Sequence, residues 1–123
     1  MSEAKAQHAR WSDIPLEPMN PLLDRHFVHG EQAMLARILL RKGCIVPMHS
    51  HSNEQITYVL EGTLRFTLPD RVVDVAAGEV LVIPGGIPHQ AEAMEDTIDL
   101  DVFTPPRRDW IERTDGYLRG EQK

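Results

Sequence analysis

Cysteine is almost missing from this chain: Cys44 is the only one. An intrachain disulfide is therefore excluded, and so is a thiolate cage for a metal. Followed by Ile45 and Val46, the thiol is expected to be a small buried hydrophobe with no lowered pKa. Positive charge is also scarce, with 13 Lys and Arg against 19 Asp and Glu and a net charge of −6. Nucleic-acid binding needs a basic stripe, and Arg107-Arg108 is too short to supply one. No apolar run approaches the length of a membrane span; Val80-Leu81-Val82-Ile83 fits a strand. Met1 to Gln7 lack the apolar stretch of a secretory signal, and the expected location is the cytoplasm. No internal repeat or low-complexity tract is present. The 123 residues, 41% hydrophobic and 26% charged, suit one folded, soluble domain.

What the chain does have is a succession of short apolar runs punctuated by turn residues. Residues 1–30, polar and carrying Pro15, Pro18 and Pro21, are expected to form an arm or irregular lead-in. Strands are expected at 33–41, 55–60, 63–68, 71–75, 79–83, 90–94 and 97–103. The turns between them are Glu61-Gly62, Pro69-Asp70, Ala77-Gly78 and the stiff corner Pro84-Gly85-Gly86. Pro105-Pro106 closes the sheet, because proline has no N–H to give a central ladder. This spacing predicts an all-β barrel or sandwich over 31–106. The tail, 107–123, is expected to hold a short helix with Asp109 as its N-cap.

Three of the six histidines stand out. His49 and His51 are two apart, so in extended chain both project to one face and can share an ion. His89 follows about forty residues later, just after the proline–glycine corner, as expected when a second strand of the barrel supplies a ligand. Histidine with amide or carboxylate donors suits a divalent first-row metal. His8, His26 and His29 are expected to be ordinary surface residues.

Thr97 to Phe103 alternates, with Ile98, Leu100 and Val102 on one face and Asp99, Asp101 and Phe103 on the other. Either face can be the inner one. Aspartates in solvent are the default for an edge strand, whereas Asp101 and Phe103 turned inward would put a carboxylate beside the metal.

Gly43-x5-His49-x-His51-x3-Gln55-x6-Gly62 resembles the first motif of the cupins, with glutamine where glutamate is usual. Gly78-x5-Pro84-x-Gly86-x2-His89 resembles the second, with Ala93 in place of the usual asparagine. The resemblance implies a cupin fold, a jelly-roll barrel, holding one metal ion on His49, His51, His89 and Gln55. Glu54 is the alternative ligand if the register differs by one. Nickel, zinc, iron and manganese all fit such a set. A neutral glutamine ligand leaves the whole charge of the ion available to an incoming anion, which suits Lewis-acid chemistry.

The stretch Asp101-x-Phe103-x-Pro105-Pro106-Arg107-x-Asp109-Trp110, with Tyr117-Leu118 downstream, resembles the tail of the small KdgF-type cupins. Enzymes of that type open the cyclic 4,5-unsaturated uronates left by polysaccharide lyases, in pectin and alginate breakdown. The resemblance implies Asp101 as general base, Arg107 as a carboxylate clamp and Phe103 as an apolar wall for a small acidic sugar. The rival expectations are a metal-dependent dioxygenase and a non-catalytic sugar-binding cupin. A homodimer is expected, with the arm containing Trp11 and Ile14 lying along a neighbour's sheet edge.

Overall fold

The computed structural model describes residues 4–119. Among these, ten strands build two antiparallel sheets. In chain order they are β1 (Glu17–Asn20), β2 (Leu23–His29), β3 (Met34–Leu40), β4 (Ile45–His49), β5 (Glu54–Glu61), β6 (Thr63–Thr67), β7 (Val72–Ala76), β8 (Val80–Ile83), β9 (His89–Ala93) and β10 (Thr97–Thr104). The larger sheet runs β1-β2-β3-β10-β5-β8 and the smaller β4-β9-β6-β7. Strict alternation of buried and open positions along β3, β5 and β10 gives each strand one inner face. Leu23, Met34, Val59 and Phe103 from the larger sheet meet Leu64, Phe66 and Val75 from the smaller in one core. Each such side chain contributes roughly 1.5–3 kcal/mol when fully buried. This is an all-β barrel, as the turn spacing predicted, with the jelly-roll-like form that the cupin resemblance implied. No helix among the described residues is long and apolar enough to cross a membrane.

Three glycines hold the motifs together. Gly62 has φ +88°, and a Cβ there would run into the Asp96 carbonyl and Thr97. Gly86, at φ +85°, donates its N–H to the His51 carbonyl at 2.8 Å. A Cβ on neighbouring Gly85 would meet the Ser52 carbonyl. The proline–glycine corner therefore closes directly on the loop after His49, and the two distant motifs become one site.

The N-terminal third departs from expectation. Residues 17–29 are no arm: β1 and β2 extend the larger sheet, β2 pairing with β3 over its whole length. Their apolar alternation is broken because an inner position carries Arg25, 0% exposed and paired with Asp115, while His26 on the opposite face is buried as well. His26 is likewise no surface residue; its Nδ1–H donates to the Ile14 carbonyl and Arg37 donates to its Nε2. Trp11 stacks on His26, with centroids 4.6 Å apart, so this segment folds onto its own chain. In the tail the helix is a single turn, α1 (Arg108–Ile111), with Arg107 at the N-cap position. Asp109 sits inside that turn and uses its carboxylate on Arg107 instead.

Candidate metal centre

His49 ends β4, His51 lies in the loop that follows, and His89 begins β9. Pairing of β4 with β9 sets His49 opposite His89. The ring centroids are 4.4 Å apart for His49–His89, 5.0 Å for His51–His89 and 5.5 Å for His49–His51. One ligating atom from each ring lies within 4.8 Å of the others. The structure thus brings together the three histidines singled out by their spacing.

Each ring is oriented by the main chain. Nδ1 of His49 lies 2.8 Å from the Pro47 carbonyl, Nδ1 of His51 3.1 Å from that of Asn53, and Nδ1 of His89 2.9 Å from that of Ile87. A carbonyl only accepts, so each Nδ1 carries the hydrogen and each Nε2 is left with a free lone pair. Nε2 of His89 is buried and has no hydrogen-bond partner. Such an orphan acceptor is costly unless something electropositive meets it. Burial, opposed by these carbonyl contacts, pushes His49 and His51 down from 6.5 to about 4. Burial also lowers His89. All three rings are then neutral near pH 7, the form that binds metal.

The second coordinate of the site comes from β5. Gln55 is buried and Glu54 exposed, because β5 alternates and Gln55 pairs with inward-facing Phe103. The register question is settled in favour of the glutamine facing the histidines. Gln55 Oε1 lies 3.0 Å from His51 Nε2. With Nδ1 holding the hydrogen, both of these atoms are acceptors, and two acceptors this close repel unless a cation lies between them. The separation suits neighbouring ligands of one ion with bonds of about 2.1 Å. Gln55 Nε2 donates to Thr57 Oγ1 at 2.9 Å, and Thr57 donates to Asp101 Oδ1 at 2.6 Å. The residues present fit a divalent ion held by three histidines, with Gln55 placed as a fourth donor.

Asp101 and Phe103 face inward, beside Gln55 and His89. The alternative, with aspartates in solvent, fails because β10 is no edge strand: it is flanked by β3 and β5. Burial raises the Asp101 carboxyl, against the opposing pull of the Thr57 hydroxyl. Arg107 is 2% exposed and stacks over Phe103 and Trp110. Its fork is already engaged: Nε and Nη2 donate to the two oxygens of Asp109 at 2.9 and 2.7 Å. Burial opposes ionisation of Asp109, yet Arg107 holds that carboxylate below its usual range. Nη2 also donates to the Tyr117 hydroxyl, and the Tyr117 ring stacks on His49 at 4.6 Å. A single-site bidentate clamp is therefore not what the fork offers; Nη1 is the end without a hydrogen bond among the described residues.

Sequence reasoning missed Thr57, Asp99 and Asn53. Thr57 was recoverable from the alternation that places it on the face of Gln55. Asp99 was placed on the Asp101 face but carried no further. Asn53 ties the His51 loop to the end of β10 through the Pro105 carbonyl at 2.6 Å, and nothing in its spacing announces that. The buried Cys44 thiol, raised to about 11 by burial, is inert as expected.

Depressed imidazoles have a measurable consequence. Protons compete with a metal only below a ligand's own pKa, so affinity should stay nearly level from pH 8 to 6 and fall as pH approaches about 4. Equilibrium dialysis against cobalt across that range checks this; a steep loss centred near 6.5 contradicts it.

This fold and this three-histidine centre define the class. The chain belongs to the cupins, its residues 36–104 matching the Cupin domain family. Oxalate decarboxylase OxdC of Bacillus subtilis (strain 168) is 31% identical over an alignment of 72 residues that covers 54% of this chain and 19% of that enzyme. The chain thus spans about a fifth of the length of that curated relative. Among solved structures it is similar to KdgF from Halomonas sp., with TM-score 0.77 and 25% identity, covering 82% of this chain and 96% of that one. It also resembles an RmlC-like cupin from Shewanella frigidimarina NCIMB 400 in fold, with TM-score 0.80, 23% identity and coverage of 86% and 96%.

Proposed function

We propose that this cupin opens and tautomerises a 4,5-unsaturated uronate, a small acidic sugar, to its linear 5-keto-4-deoxy form. The observation that carries this reading is a buried carboxylate, Asp101, joined through Thr57 and Gln55 to a three-histidine centre with a buried arginine at its side. The likeness to KdgF over nearly the whole of both chains supports it. Asp101 takes the proton of the anomeric hydroxyl as general base. The bond from the anomeric carbon to the ring oxygen breaks, leaving an aldehyde and an enolate, and the proton returns to carbon 4. Atoms balance and no electrons are gained or lost. Arg107 supplies positive charge and its Nη1 hydrogens to the substrate carboxylate, while Asp109 and Tyr117 hold the guanidinium in place. Phe103 gives the ring an apolar wall. An ion held by His49, His51, His89 and Gln55 supplies Lewis-acid stabilisation of developing oxyanion charge.

The test is turnover of lyase-generated unsaturated uronate by metal-reconstituted protein, followed as loss of ultraviolet absorbance against the spontaneous rate. Acceleration that a chelator abolishes is the expected result. No acceleration with metal bound discards this substrate and directs attention to oxygen uptake.

Assembly as a homodimer belongs to the same proposal, through a different surface from the arm. The outer face of the larger sheet exposes Val28, Ile56, Tyr58, Leu60, Val80 and Val82, and a second copy of that face would cover them. Ile56 and Val82 are cross-strand neighbours, 38% and 54% exposed. A double Ile56→Glu, Val82→Glu variant is expected to run as a monomer in light scattering while the wild type runs as a dimer, with metal binding kept in both. Equal masses for the two proteins reject this interface.

A further inference from the structure

The cavity beside the histidines is small and covered. Its volume is about 50 Å³, and Trp110, Tyr117 and Leu118 form part of its wall. A water takes up about 10–15 Å³ of such space, so there is room for a few waters. A uronate, with its dozen or so non-hydrogen atoms, needs far more; pockets for small ligands commonly measure about 300–1,000 Å³. Part of the wall must move before such a molecule can lie against Asp101 and Phe103.

The part built to move is the chain after α1. Among the described residues, the backbone hydrogen bonds of 114–119 are all local: Thr114 N–H donates to Asp109, Leu118 to Asp115 and Arg119 to Gly116. None of these residues belongs to a strand of either sheet. Polar links from this segment and Arg113 to the barrel strands end on β1 and β2. Asn20 Nδ2 donates to the Leu118 carbonyl at 2.9 Å, Arg113 donates to Glu17 at 2.8 Å, and Arg25 is paired with Asp115. Arg113 itself has φ +60°, a left-handed conformation that costs a residue with a side chain free energy. A hinge belongs at such a residue, since a turn there swings everything that follows.

The Arg25–Asp115 pair is the latch. Both side chains are fully buried, yet Arg25 Nη2 has no hydrogen-bond partner. Nor has Nη2 of Arg119, whose Nε donates to the other oxygen of Asp115. Charges held out of water without a full set of partners are stabilised when water returns, which lowers the free energy of lifting the segment. Tyr117 is the plug. Its ring lies on His49 with centroids 4.6 Å apart, and its hydroxyl accepts from Arg107 Nη2 at 2.7 Å and from Trp110 Nε1 at 3.2 Å. Lifting it clears the space over His49 and frees an Nη2 hydrogen for an incoming carboxylate, while Asp109 keeps the fork in place.

We propose that residues 114–119 are a strap: hinged at Arg113, latched by Asp115 on Arg25 and plugged by Tyr117, it shuts the cavity and lifts to admit a sugar-sized acid. The inference rests on the uronate reading only for the size and charge of the occupant. β1 and β2 then do more than widen the sheet; they are the landing on which the strap closes.

Two readouts on the full chain test this. Neither measures turnover, so failure of the strap and failure of the uronate reaction are told apart. The first is hydrogen exchange followed by mass spectrometry. Peptides covering 114–119 should exchange at least about 100-fold faster than those of β5 and β10, as a locally opening unit does. Asp115→Asn releases the latch at a residue outside the cavity wall. It should speed exchange of the strap about 10-fold further and leave the strands as they were. The second readout is entry of carboxylates, followed in the visible spectrum of the cobalt-loaded protein. Formate, small enough for the closed cavity, should act on mixing. Galacturonate should act slowly, at a rate that levels off with concentration because opening limits it. Tyr117→Ala should make galacturonate entry at least about 10-fold faster and leave formate unchanged. If Tyr117→Ala fails to fold, Asp115→Asn takes its place with the same expected direction, and exchange in the wild type decides in any case. Strap peptides that exchange no faster than β10 overturn the proposal. So does galacturonate that acts alike on wild type and variant, whether it binds both or neither.

Discussion

Replacing His89 with alanine is expected to lower divalent-metal affinity by well over the roughly 100-fold that accompanies loss of an outer partner of a metal ligand. The reason lies in what His89 contributes. Its imidazole is 2% exposed, its Nδ1–H is fixed on the Ile87 carbonyl, and its buried Nε2 has no partner within the protein. Two imidazoles and an amide, one of the rings on a loop, would remain to hold an ion. In the wild type, metal at 100 times its dissociation constant should stabilise the fold by about 2.7 kcal/mol and raise the melting temperature accordingly. His89→Ala should show almost none of this shift and should emerge from dialysis without bound metal. His26→Ala is the matched control. That ring is also buried, but both its nitrogens are already engaged by Ile14 and Arg37. It should cost stability and leave the metal-induced shift intact. A His89→Ala protein that keeps a wild-type shift would place the ion elsewhere.

Asp101→Asn is expected to cut turnover of the unsaturated uronate by about 10²–10⁴-fold, the range for loss of a general base. Asparagine retains an oxygen to accept from Thr57, so Gln55 stays oriented and metal content should match the wild type. The loss should fall on kcat with little change in KM, because the base acts as the proton leaves and not as the sugar binds. Arg107 makes the opposite contribution. Its charge is felt by bound and reacting substrate alike, and Arg107→Lys should raise KM more than it lowers kcat. Undiminished turnover by Asp101→Asn removes this residue from the chemistry.

How far the sequence could be read depended on whether polarity matched position. His49, His51 and His89 were legible because glycines and prolines of fixed geometry bracket them, and those turns recur in the structure at Gly62, Gly78 and Gly86. Gln55 was separable from Glu54 only once β5 had a register, since a shift of one residue exchanges the faces of a strand. The same two-fold ambiguity left β10 undecided: alternation says which residues share a face, never which face is inside. Its central place between β3 and β5 resolves this, and pairing over that distance is not a local property of the sequence. β1 and β2 were hidden because Arg25 occupies an inner position and His26 is buried on the opposite face. Arg25 is tolerable there only because Asp115, far along the chain, folds back to meet it. Arg107 looked free for the same reason: that Asp109 closes on its fork depends on the single turn of α1, whose start was expected two residues later.

The Nδ1–H of each of the three imidazoles is held by a main-chain carbonyl, those of Pro47, Asn53 and Ile87. A carbonyl survives any substitution, so the aim of the rings is insulated from mutation at the very residues that aim them. Drift in the walls of the barrel can reshape what the cavity admits while the three rings stay aimed. Such a centre is a durable chassis for new substrates: selection can rework Phe103, Arg107 or Tyr117 one at a time, and each intermediate along the way would keep the three main-chain contacts that aim the rings.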